Sequence, residues 1–286
     1  MSKKKRNPNK LMMPTGLKVL LSLTTAFILF SLFAPLFFPV DLGAVDLKNR
    51  LAMPSIFGLS DSGHLFGTDY LGRDFGIRLL YATRTSFILC LIGLAGSSIV
   101  GIVLGILAGM CGGIIDDFVT FLISIRQSVP SILIGIIVAT IFGSNYSTII
   151  LVTILIQWTK PCKQTRTAIR QMKNEAFIEC SRAIGSSSFR IVREHMLRNI
   201  ASPLIVTITL STGSIILYES TLSYLGIGIQ PPDTSLGVMV SAGRQQLIGQ
   251  WWQAIIPISV IVLIVLAVSL YGDHLLKRID PKLRER

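Results

Sequence analysis

Apolar residues fall in long blocks along this chain, separated by polar stretches. The blocks cover residues 17–40, 86–110, 118–142, 146–162, 203–226 and 253–272. Each is near the roughly 20 residues that a helix needs to cross a bilayer core. The pattern predicts an all-α, polytopic membrane protein with about six transmembrane helices. The fourth block is the shortest, because Lys160 and Pro161 interrupt it early. Pro130 in the third block and Pro203 at the start of the fifth predict a kink or a helix start, tolerable where neighbours satisfy the freed carbonyls.

Composition agrees with this class. With 51% hydrophobic residues and a mean hydropathy of +0.64 over 286 residues, the chain is too apolar for an ordinary soluble domain. Lys3, Lys4, Lys5 and Arg6 could form the head of a signal peptide. The apolar run that follows is too long for one and lacks a small-x-small cleavage site, so it reads as an uncleaved anchor.

Charge sets the orientation. Residues 1–18, the 160–199 segment and the tail from Lys277 hold six, nine and five Lys/Arg, whereas segments 41–85 and 227–252 hold five and one. The positive-inside rule then predicts that both termini and the 160–199 segment lie in the cytoplasm. That rule and anionic lipid heads account for the net charge of +12, and no nucleic-acid motif accompanies it.

The chemistry of catalysis is missing from the pattern. Cys90, Cys111, Cys162 and Cys180 have no CxxC spacing, and His64, His195 and His274 stand alone, so neither a disulfide framework nor a metal site is expected. No GxxxxGK[ST] loop is present to cradle a nucleotide, and no nucleophile and base stand at a recognisable spacing. No catalytic residue and no cofactor bound by this chain is expected. An ATPase driving it would be another chain.

The 160–199 segment carries nine Lys/Arg and three Glu between two apolar blocks. Asn174 is placed to cap a short helix with Glu175 in its first turn, running to Ile184. Gly185 can close it in the left-handed conformation, and Ser187 or Ser188 can cap a second helix. Within this unit Glu179-Cys180-Ser181-Arg182-Ala183-Ile184-Gly185 resembles the Glu-Ala-Ala-x-x-x-Gly loop of ABC importer permeases. Small residues stand for both alanines. His195 and Leu197 occupy the places of the Ile and Leu in the loop's Ile-x-Leu-Pro ending, and Arg198 replaces the proline.

Two further segments narrow the resemblance. His64-Leu-Phe-Gly67-Thr68-Asp69-Tyr-Leu-Gly72-Arg73-Asp74 resembles the signature of the dipeptide, oligopeptide and nickel permeases, in their "C" subunit class. Glu219-Ser-Thr-Leu-Ser-Tyr-Leu-Gly226-Ile-Gly228-Ile-Gln230-Pro231-Pro232 resembles that class's segment before the last span, and Trp158, Lys163 and Arg166 fall where its members usually have Trp and basic residues. Residues 1–60 then form a basic tail, a first anchor and the start of an outer segment, and residues 61–286 a permease core.

The resemblance implies a type I ABC importer permease fold in a prokaryotic cell membrane. It implies a second homologous permease as heterodimer partner, two cytoplasmic ATPase subunits binding ATP and Mg, and an extracytoplasmic solute-binding protein. Short peptides are the implied solute, with nickel or a metal chelate as the alternative. An ion-coupled secondary transporter is the rival class, but it would place several carboxylates or broken helices near mid-bilayer. Away from the block ends at Lys18 and Lys160, charged side chains inside the blocks are scarce: Arg126 in the third and Glu219 at the outer end of the fifth.

Each motif has a plain structural alternative. Glu179 either pairs with Arg182 on its own helix or docks an ATPase; the resemblance favours docking. Asp69, Arg73 and Asp74 can pair with one another and fix the outer segment. Gly93, Ser97, Gly101, Gly105 and Gly109 form a small-residue stripe for close packing within the chain, or for a subunit interface or sliding surface. Arg126 and Glu219 are read as structural before solute-binding.

Overall fold

The computed structural model describes residues 15–57 and 63–279. Lys3, Lys4, Lys5 and Arg6 of the basic tail, and Lys282, Arg284 and Arg286 at the other end, lie outside the described residues. Among the described residues the chain is helical, with one isolated bridge between Thr68 and Asp74. The helices are α1 (Thr15–Leu32), α2 (Ala34–Phe37), α3 (Phe75–Cys111), α4 (Gly113–Ser128), α5 (Ser131–Phe142), α6 (Tyr146–Gln157) and α7 (Thr159–Met172). The order continues with α8 (Ala176–Ala183), α9 (Ser188–Ile191), a π turn over Val192–Met196, α10 (Leu197–Tyr224), α11 (Leu236–Arg244) and α12 (Trp252–Ile279).

Among the described residues four helical runs are long and apolar enough to cross a membrane: Thr15–Leu32, Phe75–Cys111, Ser188–Tyr224 and Trp252–Leu276. Counting α4 with α5 as one broken span makes five. Two of the six predicted spans therefore differ in form. Block 118–142 is bent by 91° between α4 and α5. Pro130 disfavours helical backbone in the residue before it, and Val129 is extended, with φ −98° and ψ 126°. Arg126 bridges this corner, donating to the Ile156 carbonyl at 3.0 Å and to Ser131 Oγ at 2.9 Å, while the Tyr218 hydroxyl donates to the Ser131 carbonyl. Block 146–162 becomes the 12 residues of α6, which continue past Trp158 into the polar α7. Its apolar part ends at Trp158, where the polar sequence of α7 begins, although Cys162 and Ile169 of α7 remain buried.

The core forms where α3 meets its neighbours. Its stripe lies against α6 and α7 of the same chain: a Cβ on Gly105 would come within 2.7 Å of the Cys162 carbonyl oxygen, and one on Gly109 within 2.8 Å of Ile169. The backbones approach so closely only because those side chains are missing, so the stripe serves packing inside the subunit. The main cluster joins Phe75, Leu79 and Cys90 of α3 to Ile215 and Ile216 of α10, Leu236 and Met239 of α11, and Ile261 and Ile264 of α12. A second cluster beneath α8 joins Ile169, Ile178, Ile191, Val192, Met196 and Ile200.

Candidate functional site

The polar segment folds into a short helix standing on that second cluster. α7 brings the chain out, and its end is tied to the end of α3 by Lys173 Nζ, which donates to the Met110 carbonyl at 2.9 Å. Asp116 at the start of α4 accepts from Arg166 Nη2 at 2.7 Å and from Arg170, clamping α4 to α7. Sequence reasoning missed this clamp; the available signal was a pair of arginines four residues apart, on one helical face.

Helix α8 begins one residue later than its cap signal suggested. Glu175 is the N-cap, extended at φ −76° and ψ 141°, and its side chain makes no capping hydrogen bond. Asn174 lies in the preceding turn, and Glu179 is the acidic residue of the first helical turn. At the other end Gly185 adopts φ +87°, its N–H donates to the Arg182 carbonyl at 2.9 Å, and the Ser186 N–H donates to the Ser181 carbonyl at 3.0 Å. These paired bonds form a Schellman closure, whose left-handed residue is glycine because a Cβ would be strained there. Ser187 caps the next helix, accepting from the Arg190 N–H at 3.4 Å. The predicted second short helix is instead the start of the Ser188–Tyr224 rod, interrupted by the π turn.

α8 is anchored through one fully buried side chain, Ile178. Glu175, Glu179, Cys180, Arg182 and Ala183 are exposed, and Ser181 is half-buried with its hydroxyl donating to the Phe177 carbonyl at 2.8 Å. Among the described residues Glu179 makes no ion pair; the pair with Arg182 is not formed. Beside these charges stand Ile184, 85% exposed, and Phe189, 75% exposed. Phe177 packs edge-on to His195 at 6.3 Å between centroids, linking α8 to the π turn. The arrangement is a small exposed surface, charged and apolar, at the head of helices that run into the bundle.

The outer signature is built in the opposite way. Asp69 Oδ1 accepts the Leu71 and Arg73 N–H groups at 2.8 and 3.0 Å, and Oδ2 pairs with Arg73 at 2.8 Å and Arg78 at 3.3 Å. Thr68 is fully buried; its hydroxyl donates to the Asn49 carbonyl and accepts the Ala52 N–H. Asp74 pairs not with Arg73 but with His64, at 2.7 Å, while its other oxygen caps α3 by accepting the Ile77 N–H at 2.8 Å. Gly67 and Gly72 have positive φ, and a Cβ on Gly72 would collide with the Asp46 carbonyl. Gln253 at the start of α12 donates to the Thr68 carbonyl at 3.1 Å and locks the segment to the bundle.

Glu219 is 1% exposed. It accepts from Ser223 Oγ at 2.8 Å, and the hydroxyls of Ser86, Ser220 and Ser235 face the same carboxyl group. Ser86 also accepts the Leu236 N–H at 3.1 Å and Ser235 caps α11, so this group joins α3, α10 and α11. Gly226, at φ +82°, follows the end of α10. Cys162 is buried beneath α3, whereas Cys111 and Cys180 are exposed. Among the described residues no group of three His, Cys, Asp or Glu side chains could hold a metal ion.

With a short exposed helix between two bundle rods, the sequence comparison becomes decisive. Residues 101–285 match the family described as binding-protein-dependent transport system inner membrane component. The chain belongs to that family. It is 33% identical over 222 residues to the dipeptide transport system permease protein DppC of Bacillus subtilis, covering 77% of this chain and 69% of that one. It is 31% identical over 255 residues to the probable D,D-dipeptide transport system permease protein DdpC of Escherichia coli, covering 89% and 84%. Its fold is similar to that of a chain of the MetNI methionine ABC transporter in an inward-facing form, with TM-score 0.57 and 16% identity over 71% of this chain and 96% of that one. It is therefore a multi-pass inner-membrane permease with the all-helical fold of ABC importer membrane subunits, a role that implies ATPase and binding-protein components.

Proposed function

We propose that this chain forms half of the translocation path of an ATP-driven importer of di- or oligopeptides, in a heterodimer with a second homologous permease. The observation that carries the solute is similarity over most of the chain to permeases named for dipeptide transport. Two cytoplasmic ATPase subunits bind ATP and Mg and close on one another, and an extracytoplasmic binding protein delivers the peptide. Both termini and α8 face the cytoplasm.

α8 is the docking element in this reading. Glu175 and Glu179 offer charge with no ion-pair partner among the described residues, while Ile184 and Phe189 offer apolar area. Movement imposed on α8 passes to α7 and α10 through Ile178 and the cluster around it, and so selects between inward-facing and outward-facing arrangements. Asp69, Arg73 and Asp74 shape the outer segment rather than contact solute, since their charged atoms are already paired.

Deletion of the gene, with redundant importers also removed, is expected to abolish growth on a required amino acid supplied only as peptide. Normal peptide uptake with reduced nickel accumulation would replace peptide by metal as the solute. Uptake that persists without ATP would favour an ion-coupled transporter. Orientation is tested at the two exposed thiols: Cys111 and Cys180 should react with an impermeant maleimide only after permeabilisation.

A further inference from the structure

Helices α1, α3, α10 and α12 enclose a cleft of about 620 Å³ that the transport reading does not use. Its walls are Leu29, Leu91, Ile208, Ile264 and other apolar side chains, with threonines among them. Three of the four threonine hydroxyls are bonded to their own helix backbone: Thr24 donates to the Leu20 carbonyl at 2.8 Å, Thr209 to the Ile205 carbonyl at 2.8 Å and Thr212 to the Ile208 carbonyl at 3.3 Å. With those donors occupied, the cleft is mainly apolar along its walls. It has little to offer a polar ligand along its length.

Polarity returns at one end. Tyr81 of α3 donates to the Phe38 carbonyl just beyond α2 at 2.8 Å, and Gln253 of α12 reaches the Thr68 carbonyl just before α3 at 3.1 Å. The end of α1 and the starts of α3 and α12 therefore share one side of the bundle. Lys18, near the start of α1, and Tyr271, far along α12, both line the cleft toward the opposite side. Lys18 is exposed and, among the described residues, makes no ion pair. A cation and an amphipathic aromatic ring at one end of an apolar cleft match the level of lipid headgroups.

Dimensions select the occupant. From Lys18 to Leu32 the α1 wall is about 21 Å long at 1.5 Å per residue, more than the roughly 15 Å of one leaflet in a ~30 Å core. A cleft of that length, with mainly apolar walls, suits one extended acyl chain.

We propose that this cleft binds one acyl chain of an anionic phospholipid, with the phosphate held at Lys18. All four walls belong to helices able to cross the membrane, so the surrounding solvent is itself acyl chain. The lysine adds preference for negative headgroups and the depth of the cleft adds retention.

The test uses the full chain, purified with its partner subunits from nanodiscs of equimolar phosphatidylglycerol and phosphatidylcholine and read by native mass spectrometry. Wild type should retain phosphatidylglycerol about fivefold over phosphatidylcholine, the preference one lysine near a headgroup supplies. Lys18→Gln should bring that ratio toward one while still retaining lipid. Thr25→Trp or Thr209→Trp, filling the cleft from opposite walls, should lose both lipids; the variant whose thermal midpoint stays at the wild-type value decides. Equal retention of the two lipids by wild type would overturn the headgroup assignment, and undiminished retention by a folded tryptophan variant would overturn the cleft.

Discussion

The outer signature and the helix turn at α8 are both short stretches of glycine and charge, yet the fold treats them oppositely. Around Asp69, charged and hydroxyl groups meet partners within the chain and the backbone passes too close for added side chains. Around Glu179 the charges are exposed without ion pairs among the described residues, and large apolar side chains stand in the open beside them. A motif satisfied internally holds its own chain together. A motif left unsatisfied leaves its groups free for another chain, which is the docking role proposed for α8.

That contrast can be broken in four places, ordered by the expected effect on the chain's own stability. Gly72→Val forces a β-branched side chain into the Asp46 carbonyl at a positive φ, and should cost more than about 4 kcal/mol. It should appear as loss of inserted full-length protein. Asp69→Ala leaves Arg73 and Arg78 without their shared carboxylate and should cost about 3–5 kcal/mol, read as a lowered thermal midpoint in detergent. If the midpoint stayed while uptake vanished, the outer signature would be a contact surface after all and the contrast would collapse.

Gly185→Val meets no neighbouring atom, so its cost is the left-handed conformation alone, about 1–2 kcal/mol. Insertion should survive while ATPase association falls, and Gly185→Asn, which tolerates that conformation, should keep both. Glu179→Arg should change stability by less than about 0.5 kcal/mol and leave the thermal midpoint nearly unmoved, as expected for an exposed residue with no ion pair among the described residues. Its effect should appear instead as weaker copurification of the ATPase and lower peptide uptake. Unaltered uptake in this variant would remove Glu179 from the docking surface.

Much of this was legible in order along the chain. Apolar block length fixes how many residues can sit in hydrocarbon, and a residue type at a helix end states its conformational preference, as Gly185 and Ser187 do. These are local properties, readable without knowing what lies nearby. The cap at Glu175 rather than Asn174 shows how far such reading goes: both can precede a helix, and the buried position of Ile178 accompanies the later start.

Contacts across the fold were not legible, because they join residues far apart in sequence. Nothing near Asp116 shows that Arg166 and Arg170 will meet it, and Asp74 has Arg73 as its neighbour but pairs with His64. The stripe on α3 allowed either an internal or an external partner; only the approach of α6 and α7 decided between them. By itself the sequence determined an apolar helical chain with a charged turn of one family's form, since periodicity and residue chemistry are written locally. Which charges are satisfied, and which remain exposed without an ion pair, was decided by tertiary structure alone, because pairing depends on distances that exist only once the helices are packed.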